Sequence, residues 1–323
     1  MPRVTVIIPT YNRASLLPEA VDSVLAQTFA DFELLVVDDG STDDTRTVVQ
    51  GHADPRVRYI QRQRGGISAT VNAGVREAAG ELIARLDSDD VWLPEFLAVQ
   101  TIALDRNPEA GFVYAKGVAM NAAGGQANGE IVGRAPRFAD DAFASLLTTD
   151  CTCNITVVAR RMALVEAGLF DESLRMHEDW DMWLRVARRR PMVFTNRVLA
   201  RFRWHEGNIT APDGPVLEEL AESRGRVLDK QFADPSLPGR YAALKGIAYS
   251  TMHLEMGVRL WTHGQRRQGL QRFGQCVAHA DGKAAALLRV LWLGFLRVPL
   301  RSTALGRSVV DQLGGLRRRL SRG

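Results

Sequence analysis

The 323-residue chain has only three cysteines, Cys151, Cys153 and Cys276. So small and odd a number does not build a disulfide framework and indicates a reducing compartment. Cys151 and Cys153 lack a second cysteine pair for a zinc site, so we predict buried thiols. No apolar run approaches the length of a membrane-spanning helix, and no long apolar segment precedes the first predicted strand. These absences argue against a spanning helix and a signal peptide, and they favour a cytoplasmic protein.

Positive charge is scarce outside the C-terminal tail. The formal net charge is +4, but residues 281–323 carry nine Lys and Arg against two Asp, which is +7 and leaves −3 for the rest. The main part of the chain therefore lacks the basic surface of a nucleic-acid enzyme, and we expect no nucleic-acid partner. No G-x-G-x-x-G motif follows the first predicted strand, which disfavours a dinucleotide oxidoreductase.

Apolar β-branched runs alternate with helical periodicity from the N-terminus onward, which predicts an α/β fold with a doubly wound, mostly parallel sheet flanked by helices. A stretch rich in Gly, Asn and Ala at 121–133 predicts a mobile loop. The predicted strands are 4–9, 32–37, 57–60, 82–86, 111–115, 155–159 and 198–204, and the predicted helices are 15–27, 42–50, 67–79, 94–106, 161–167 and 178–188.

The same patterns predict two regions. The alternating strand and helix pattern covers residues 1–212, in two parts over about 1–115 and about 116–212. From residue 216 onward the pattern is helical, with a break at 234–239, so residues 213–323 would form a helical C-terminal region.

Polar clusters follow three predicted strands, at residues 9–11, 38–39 and 87–90. Because ligands bind at the carboxyl ends of strands in such sheets, these clusters are expected to share one site. Three carboxylates, Asp87, Asp89 and Asp90, follow one buried strand, and their mutual repulsion favours a bound cation. Hard oxygen ligands without a nearby cysteine indicate Mn²⁺ or Mg²⁺, which commonly hold phosphates. The sequence therefore predicts a phosphorylated substrate.

The order and spacing of these motifs resemble glycosyltransferase family 2, whose members have the GT-A fold. The resemblance covers about residues 3–210 and implies transfer of a sugar from a nucleotide diphosphate donor to an acceptor hydroxyl, with inversion. It also implies that residues 1–212 form the catalytic domain, with a nucleotide-binding half over about 1–115 and an acceptor half over about 116–212. One departure is Val71, where the family often has an arginine; Arg64 or Arg76 could replace it. The matching segments are 6–13, 36–43, 65–69, 72–74, 86–90, 168–171 and 177–181.

The resemblance also implies donor-site and metal-site residues. The donor would be a UDP, dTDP or GDP sugar. Asp39, with Asp38, would recognise its base, since a carboxylate accepts the imide N–H of uracil or thymine; an Asx turn is the alternative. Asp87 would approach the ribose or the metal shell, and Asp89 would bind the divalent ion, although one aspartate of the cluster could also cap a helix. The other candidates are Pro9, Thr10, Tyr11 (a stacking face), Arg13, Gly66 and Ser88 for the donor, and Asp90 and His205 for the metal.

By the same resemblance, Asp179 is the general base that takes the acceptor proton, with Glu178 beside it. Alternatively, these acidic residues stabilise the first turn of a helix. Trp180 and Trp183 could form a platform for the acceptor or pack in the core.

Three residues near the end of the segment that resembles the family each have two possible interpretations. Arg201 and Arg203 could neutralise phosphate, or lie on a solvated strand face. His205 could lie near the metal and diphosphate, or be structural.

The tail over 284–320 combines an apolar face with a basic flank. Arg289, Arg297, Arg301 and Arg307 lie within about a third of the helical circumference. This pattern is typical of peripheral contact with an anionic membrane surface, which would place the protein on the inner face of the membrane. Packing on the catalytic domain is the alternative.

The family resemblance implies a carbohydrate or lipid-linked acceptor in cell-envelope polysaccharide or glycolipid synthesis. Two other functions are compatible with parts of the sequence. Residues 87–91 superficially fit the nucleophile motif of haloacid-dehalogenase-type phosphatases, although that motif usually opens the fold. A non-catalytic sugar-nucleotide binding module would use Asp39 but not Asp179.

Overall fold

The computed structural model describes residues 1–204 and 216–291. The chain divides into two compact units, Met1–Ala211 and Pro212–Gly323. No helix within the described ranges is long and apolar enough to cross a membrane. Of the four arginines predicted on a basic tail helix, Arg289 is described and lies in a helix; Arg297, Arg301 and Arg307 lie outside the described residues.

Nine strands of the described chain form one sheet in the first unit, in the order β3-β2-β1-β4-β8-β6-β9-β5, with β7 paired to β6. β1 pairs in parallel with β2 and β4, and β2 with β3. The strands are β1 Val4–Thr10, β2 Phe32–Asp38, β3 Val57–Gln61, β4 Leu82–Arg85, β5 Val91–Trp92, β6 Phe112–Met120, β7 Gln126–Val132, β8 Val158–Arg160 and β9 Met192–Arg203.

Helices cover this sheet and form the described part of the second unit. β1 and β2 are buried along their whole length, as expected for central parallel strands with both faces covered. The helices are α1 Leu17–Leu25, α2 Thr45–Gln50, α3 Ile67–Glu77, α4 Phe96–Asp105, α5 Ala142–Thr148, α6 Arg161–Glu166, α7 Glu178–Ala187, α8 Val216–Phe232, α9 Gly239–Ala242, α10 Lys245–Thr262, α11 Arg266–His279 and α12 Lys283–Val290.

The second half of the sheet is mixed. β8 is antiparallel to β4 and β6, whereas β6 and β9 are parallel. The loop predicted at 121–133 is wrong in part, because β7 forms an antiparallel hairpin with β6. Gly124 adopts a φ of +81° in the turn, and Asn121 Oδ1 accepts the backbone N–H groups of Ala123 and Gly125. Gly and Asn here build a tight turn between strands.

The segment 72–74 connects two of the motifs by packing. A Cβ on Gly74 would lie 2.8 Å from Ile7 Cγ2, so only glycine lets α3 approach β1 this closely. The Asn72 side chain donates to the Phe170 carbonyl at 2.9 Å and accepts its backbone N–H at 2.8 Å. Asn72 therefore holds the 168–171 motif against α3.

The cysteines are all free and buried, which confirms the thiol prediction for Cys151 and Cys153. Cys276 lies in the core of the second unit with Leu254 and Phe273. In that core, a Cβ on Gly257 of α10 would lie 2.5 Å from the Phe273 ring of α11, so these two helices are in close contact.

Candidate functional site

Two of the three predicted polar clusters lie side by side, at the carboxyl ends of β1 and β2. Thr10 and Asp38 are register partners, and the Asp39 N–H donates to the Thr10 carbonyl at 2.9 Å. The third cluster follows β4, the other neighbour of β1, where the Leu86 N–H donates to the Ile7 carbonyl at 3.1 Å. The parallel pairing therefore brings the three clusters to one edge, as predicted.

The Asp39 carboxylate is buried in a ring of donors. Its Oδ1 accepts from Arg62 at 2.7 Å and from the Gly65 N–H at 2.8 Å, and its Oδ2 accepts from the Gly66 N–H at 2.8 Å. Gly66 adopts a φ of +87° just before α3, which aims its N–H at Asp39. Each carboxylate oxygen has two lone pairs, so Oδ2 can accept one more hydrogen bond.

Asp38 has a different environment, although it is adjacent. Its Oδ1 accepts the backbone N–H and the hydroxyl of Ser41, at 2.9 and 2.6 Å, and its Oδ2 accepts the Tyr59 hydroxyl. Burial, together with this hydrogen bond, raises the pKa of Tyr59. The contacts of Asp38 are those of the Asx turn, the alternative left open by the sequence.

The loop after β1 carries the remaining donor candidates. The Arg64 guanidinium lies 4.1 Å from the centre of the Tyr11 ring and covers one of its faces. Pro9 and Thr10 are buried in β1, and within the described residues Thr10 Oγ1 has no hydrogen-bond partner. Arg13 lies 3.9 Å from the Asp89 carboxylate.

Asn12 connects this loop to the loop after β2. Its N–H donates to Ser41 Oγ at 2.9 Å, and its Oδ1 accepts the Thr42 N–H at 2.8 Å. Asn12 has a φ of +51°, a strained conformation of the kind that clusters at functional sites.

The three carboxylates after β4 crowd one another. Burial raises the pKa of Asp87, and the nearby Asp89 raises it further, against the effect of Arg85. Burial also raises the pKa of Asp90 well above its ordinary value, and Asp89 and Asp87 add to this. Asp90 Oδ1 accepts the backbone N–H of Arg203 at 2.8 Å. Ser88, between them, is buried.

Arg203 has a structural role, and its burial corrects the prediction that it lies on a solvated strand face. It is 2% exposed; its Nε donates to the Asp89 carbonyl at 2.9 Å, its Nη1 to the Ala122 carbonyl at 2.9 Å, and its Nη2 pairs with Glu19. With these partners it does not lie in solvent, and its role towards phosphate stays a prediction. Arg201 is exposed, as the solvated-face alternative predicts. His205 lies outside the described residues.

These residues fit a divalent cation. Buried carboxylates with raised pKa values are stabilised when a cation lies among them. Asp90 already accepts a backbone hydrogen bond, and no cluster of three or more His, Cys, Asp or Glu ligands exists in the described ranges. Asp89, whose side chain is 15% exposed, would therefore hold the cation with few other protein ligands. Mg²⁺ is commonly bound in this way, by one or two carboxylates plus substrate phosphates.

Arg85 joins the carboxylate cluster to the beginning of α7, and sequence reasoning did not identify it. Its Nε donates to Asp87 at 2.8 Å and its Nη1 to Glu178 at 2.9 Å, and the residue is 9% exposed. Its signal in the sequence is a charged residue inside the apolar run 81–86. Removing one partner of a buried ion pair leaves an uncompensated buried charge and strongly destabilises the fold. Because Arg85 pairs with both Asp87 and Glu178, it holds the two acidic motifs together.

Asp179 follows Glu178 in the first turn of α7. Burial raises the pKa of Asp179 to about 8, the Glu178 and Asp150 carboxylates contribute, and Arg85 opposes them. Its Oδ1 accepts the backbone N–H of Trp180 at 2.7 Å. A carboxylate with a pKa near the working pH is suited to general base catalysis.

The acceptor platform predicted for Trp180 and Trp183 is not supported, because the two residues are 2% and 3% exposed. The Trp180 indole N–H donates to the Leu146 carbonyl at 3.0 Å, and the Trp183 ring lies 5.0 Å from that of Phe112. Both indoles face the apolar side of α7 and pack in the core, the alternative that the sequence left open.

The family model and the relatives found by comparison with known sequences are all described as glycosyltransferases. A family model described as Glycosyl transferase family 2 matches residues 5–164. An uncharacterized glycosyltransferase of Rickettsia prowazekii is 30% identical over 226 residues, which cover 68% of this chain and 70% of the relative. Escherichia coli WfgD, a UDP-Glc:alpha-D-GlcNAc-diphosphoundecaprenol beta-1,3-glucosyltransferase, is 29% identical over 233 residues, covering 71% of this chain and 88% of the relative.

Two solved structures are similar to this chain. S. aureus TarS 1-349 in complex with UDP-GlcNAc superposes with a TM-score of 0.63 at 21% identity, over 90% of this chain and 86% of that one. Mannosyltransferase PcManGT from Pyrobaculum calidifontis, in complex with GDP-Man and Mn²⁺, gives 0.59 at 21% identity, over 96% and 83%. At these identities the likeness establishes the fold.

Proposed function

Because the chain belongs to glycosyltransferase family 2 and has the GT-A fold, we propose that it transfers a sugar from a nucleoside diphosphate to an acceptor hydroxyl, with inversion at the anomeric carbon. Family membership makes the chain a glycosyltransferase and removes the phosphatase and binding-module alternatives. The observation that supports the mechanism best is Arg85, which joins the carboxylates after β4 to the acidic first turn of α7.

In this proposal the nucleotide lies at the carboxyl ends of β1 and β2. The open lone pair of Asp39 Oδ2 accepts the imide N–H of the base, and the exposed face of Tyr11 contacts the ring. Arg13 and Arg64 lie beside this slot and would approach the diphosphate. A uracil base fits this pattern, and WfgD and TarS are both named with UDP sugars.

Mn²⁺ or Mg²⁺ would be held by Asp89, with diphosphate oxygens and water as further ligands. The bound cation would neutralise the charge that develops on the leaving diphosphate. Asp87, paired with Arg85, would lie towards the ribose.

Asp179 takes the proton of the acceptor hydroxyl while that oxygen forms its bond to the anomeric carbon. The bond from this carbon to the diphosphate oxygen breaks on the opposite face, so one displacement inverts the configuration. Glu178 is held by Arg85 and repels negative charge on Asp179, which keeps this base at a useful pKa.

The acceptor and the location are part of the same proposal. WfgD is named for a diphosphoundecaprenol-linked acceptor, so we propose a lipid-linked or polysaccharide acceptor from the cell envelope. Residues 1–212 would be the catalytic domain of a cytoplasmic protein. The basic tail after residue 283 would contact the inner face of the membrane, although most of it lies outside the described residues.

The direct test is calorimetric titration of the full chain with UDP, dTDP and GDP, with and without Mn²⁺. We expect saturable binding of at least one nucleotide, strengthened by the cation, and the corresponding sugar nucleotide to be consumed when acceptor is present. Failure of all three nucleotides to bind under both conditions would contradict the proposed function.

The pH dependence of kcat/KM should report the ionisation of Asp179. A base with a pKa of about 8 must be deprotonated to act, so activity should rise with pH and level off above that value. Between pH 6 and the plateau the expected increase is about 100-fold, because ionisation falls about tenfold per pH unit below the pKa. Mg²⁺ is the suitable cation for this measurement, since Mn²⁺ precipitates more readily in alkaline buffer.

The variant Asp150→Asn tests whether the pH dependence of kcat/KM reports the ionisation of Asp179. The Asp150 carboxylate raises the pKa of Asp179, while its Oδ1 accepts from the Thr152 N–H at 3.1 Å and hydroxyl at 2.8 Å, contacts that an amide oxygen can keep. The variant should therefore shift the rise in kcat/KM to lower pH. A profile that rises at the same pH in both proteins would assign the titration to another group.

A further inference from the structure

The second compact unit contains a cavity of about 540 Å³, lined by side chains of α8, α10 and α11. All the motifs of the proposed glycosyl transfer lie in the first unit, so this cavity has no assigned role. Three features of its lining together point to a ligand: a glycine, a buried histidine and a pair of arginines.

Gly225 lines the cavity from the interior of α8. Among the described residues, a Cβ built on it meets no atom within 4 Å, and its φ is not in the left-handed region. Glycine in a helix interior is less stable than alanine, and no described neighbouring atom requires it here. Gly257 on α10 is the contrast, because the Phe273 ring requires it. The missing side chain at Gly225 leaves room in the cavity.

His253 of α10 lines the same cavity and is 5% exposed, and its Nδ1 is buried without a hydrogen-bond partner in the described chain. Buried polar atoms are nearly always paired, so this nitrogen is an unusual feature. Burial, together with the charges of Arg272 and His279, lowers the pKa of His253 to about 4. The ring is therefore neutral at pH 7 and lies in a positive field.

The other lining residues determine which end of the cavity is positive. The His279 ring stacks between His253, at 5.3 Å, and Tyr249, at 5.2 Å, and the Tyr249 hydroxyl donates to Asp229. Asp229 is thus engaged at the tyrosine end of this stack, while Arg272 lies close enough to His253 to lower its pKa. The cavity therefore has a positive end at His253.

Two further charged residues line the cavity from α8. Arg226 adds an exposed guanidinium to that of the half-buried Arg272, and Glu222 adds an exposed carboxylate. Guanidinium groups bind phosphate with paired N–H donors, and a carboxylate accepts hydrogen bonds from hydroxyl groups.

We propose that this cavity binds a phosphorylated polyol or sugar, with the phosphate held by Arg272, Arg226 and His253 and the hydroxyl groups facing Glu222 and Asp229. The same chemistry is present in a soluble phosphate ester and in a glycerophospholipid headgroup. The site is independent of the proposed transfer reaction, so either can fail without the other.

The test follows the His253 ring by NMR in the full chain with ¹⁵N-labelled histidine, while glycerol phosphate is added. His253→Asn identifies the resonance. In the wild type we expect a saturable shift. Gly225→Leu places an apolar side chain in the cavity, starting from a Cβ position with no described atom within 4 Å, and should weaken the apparent affinity at least tenfold. Gly274→Leu is the matched control, because Gly274 is an exposed glycine of α11 with nothing within 4 Å and does not line the cavity. It should bind as the wild type does.

Either of two results would overturn the proposal: no shift of the His253 resonance in the wild type, or equal shifts in the wild type and Gly225→Leu. Sedimentation with vesicles of phosphatidic acid and phosphatidylcholine then separates the two sources. Weaker pelleting of Gly225→Leu than of Gly274→Leu identifies a lipid headgroup as the ligand. Equal pelleting of the two variants, with the NMR shift intact, identifies a soluble phosphate ester.

Discussion

Replacing Asp179 by asparagine is expected to lower kcat by about 10²–10⁴-fold, the usual contribution of a positioned general base. Asparagine has nearly the same shape, and its carbonyl oxygen can still accept the Trp180 N–H that Asp179 Oδ1 accepts at 2.7 Å. What it lacks is the ability to take a proton. The measurement is the rate of sugar transfer at saturating donor and acceptor, with nucleotide affinity determined in parallel.

The variant should remain folded and bind the nucleotide as the wild type does, because the donor motifs lie at the ends of other elements. Removing a carboxylate whose pKa is raised by burial should even stabilise the fold slightly near neutral pH. Asp140→Asn is the matched control, since Asp140 is exposed and lies outside the site. Transfer by Asp179→Asn at a rate within about threefold of this control would reject Asp179 as the base.

Substitution of Glu178, which is adjacent to Asp179, should affect stability as well as activity. It is buried and its carboxylate pairs with Arg85 at 2.9 Å, so Glu178→Gln leaves a buried guanidinium with a weaker partner. This change should lower the melting temperature as well as the activity. A stability loss at residue 178 without one at residue 179 would separate the positioning residue from the base.

The carboxylates of the site could be predicted from the sequence because each follows a recognisable apolar strand or opens a helix. Parallel pairing then brings the strand ends to one edge of the sheet. The shared location of Thr10, Asp39 and Asp87 therefore follows from the order of the strands alone. The partners of these carboxylates were not predictable in the same way. Arg85 and Arg203 contact residues 93 and 113 positions away along the chain, and periodicity carries no information on such contacts.

Two errors have a common cause. At residues 121–133 the composition predicts a loop, because Gly and Asn are frequent both in loops and in hairpin turns, and only the pairing of β7 with β6 distinguishes the two. For Trp180 and Trp183 the sequence allows both an acceptor platform and core packing, because their environment depends on which face of α7 packs in the core. In both cases tertiary contacts decide between structures that are locally equivalent.

Asp89→Asn should weaken nucleotide binding in the presence of a divalent cation but not in its absence. With Mn²⁺, we expect the affinity for UDP to fall at least tenfold, or about 1.4 kcal/mol, because the variant loses the charged oxygen that holds the cation. Without any cation, the variant should bind UDP as well as the wild type or better, because a negative charge beside the diphosphate has been removed. Calorimetry in EDTA and in Mn²⁺ measures both.

This crossed outcome separates a metal ligand from a residue that only supports the loop. The Asp89 backbone carbonyl accepts Arg203 Nε at 2.9 Å, and the substitution leaves that contact in place. Asp90→Asn is the informative companion, because Asp90 receives the Arg203 N–H at 2.8 Å and an amide oxygen can still accept it. If Asp89→Asn kept the full Mn²⁺-dependent gain in affinity while Asp90→Asn lost it, the cation would belong to Asp90. If only Asp89→Asn loses that gain, the buried Asp90 carboxylate anchors β9, and the more exposed Asp89 carboxylate beside Arg13 is the one that meets the diphosphate.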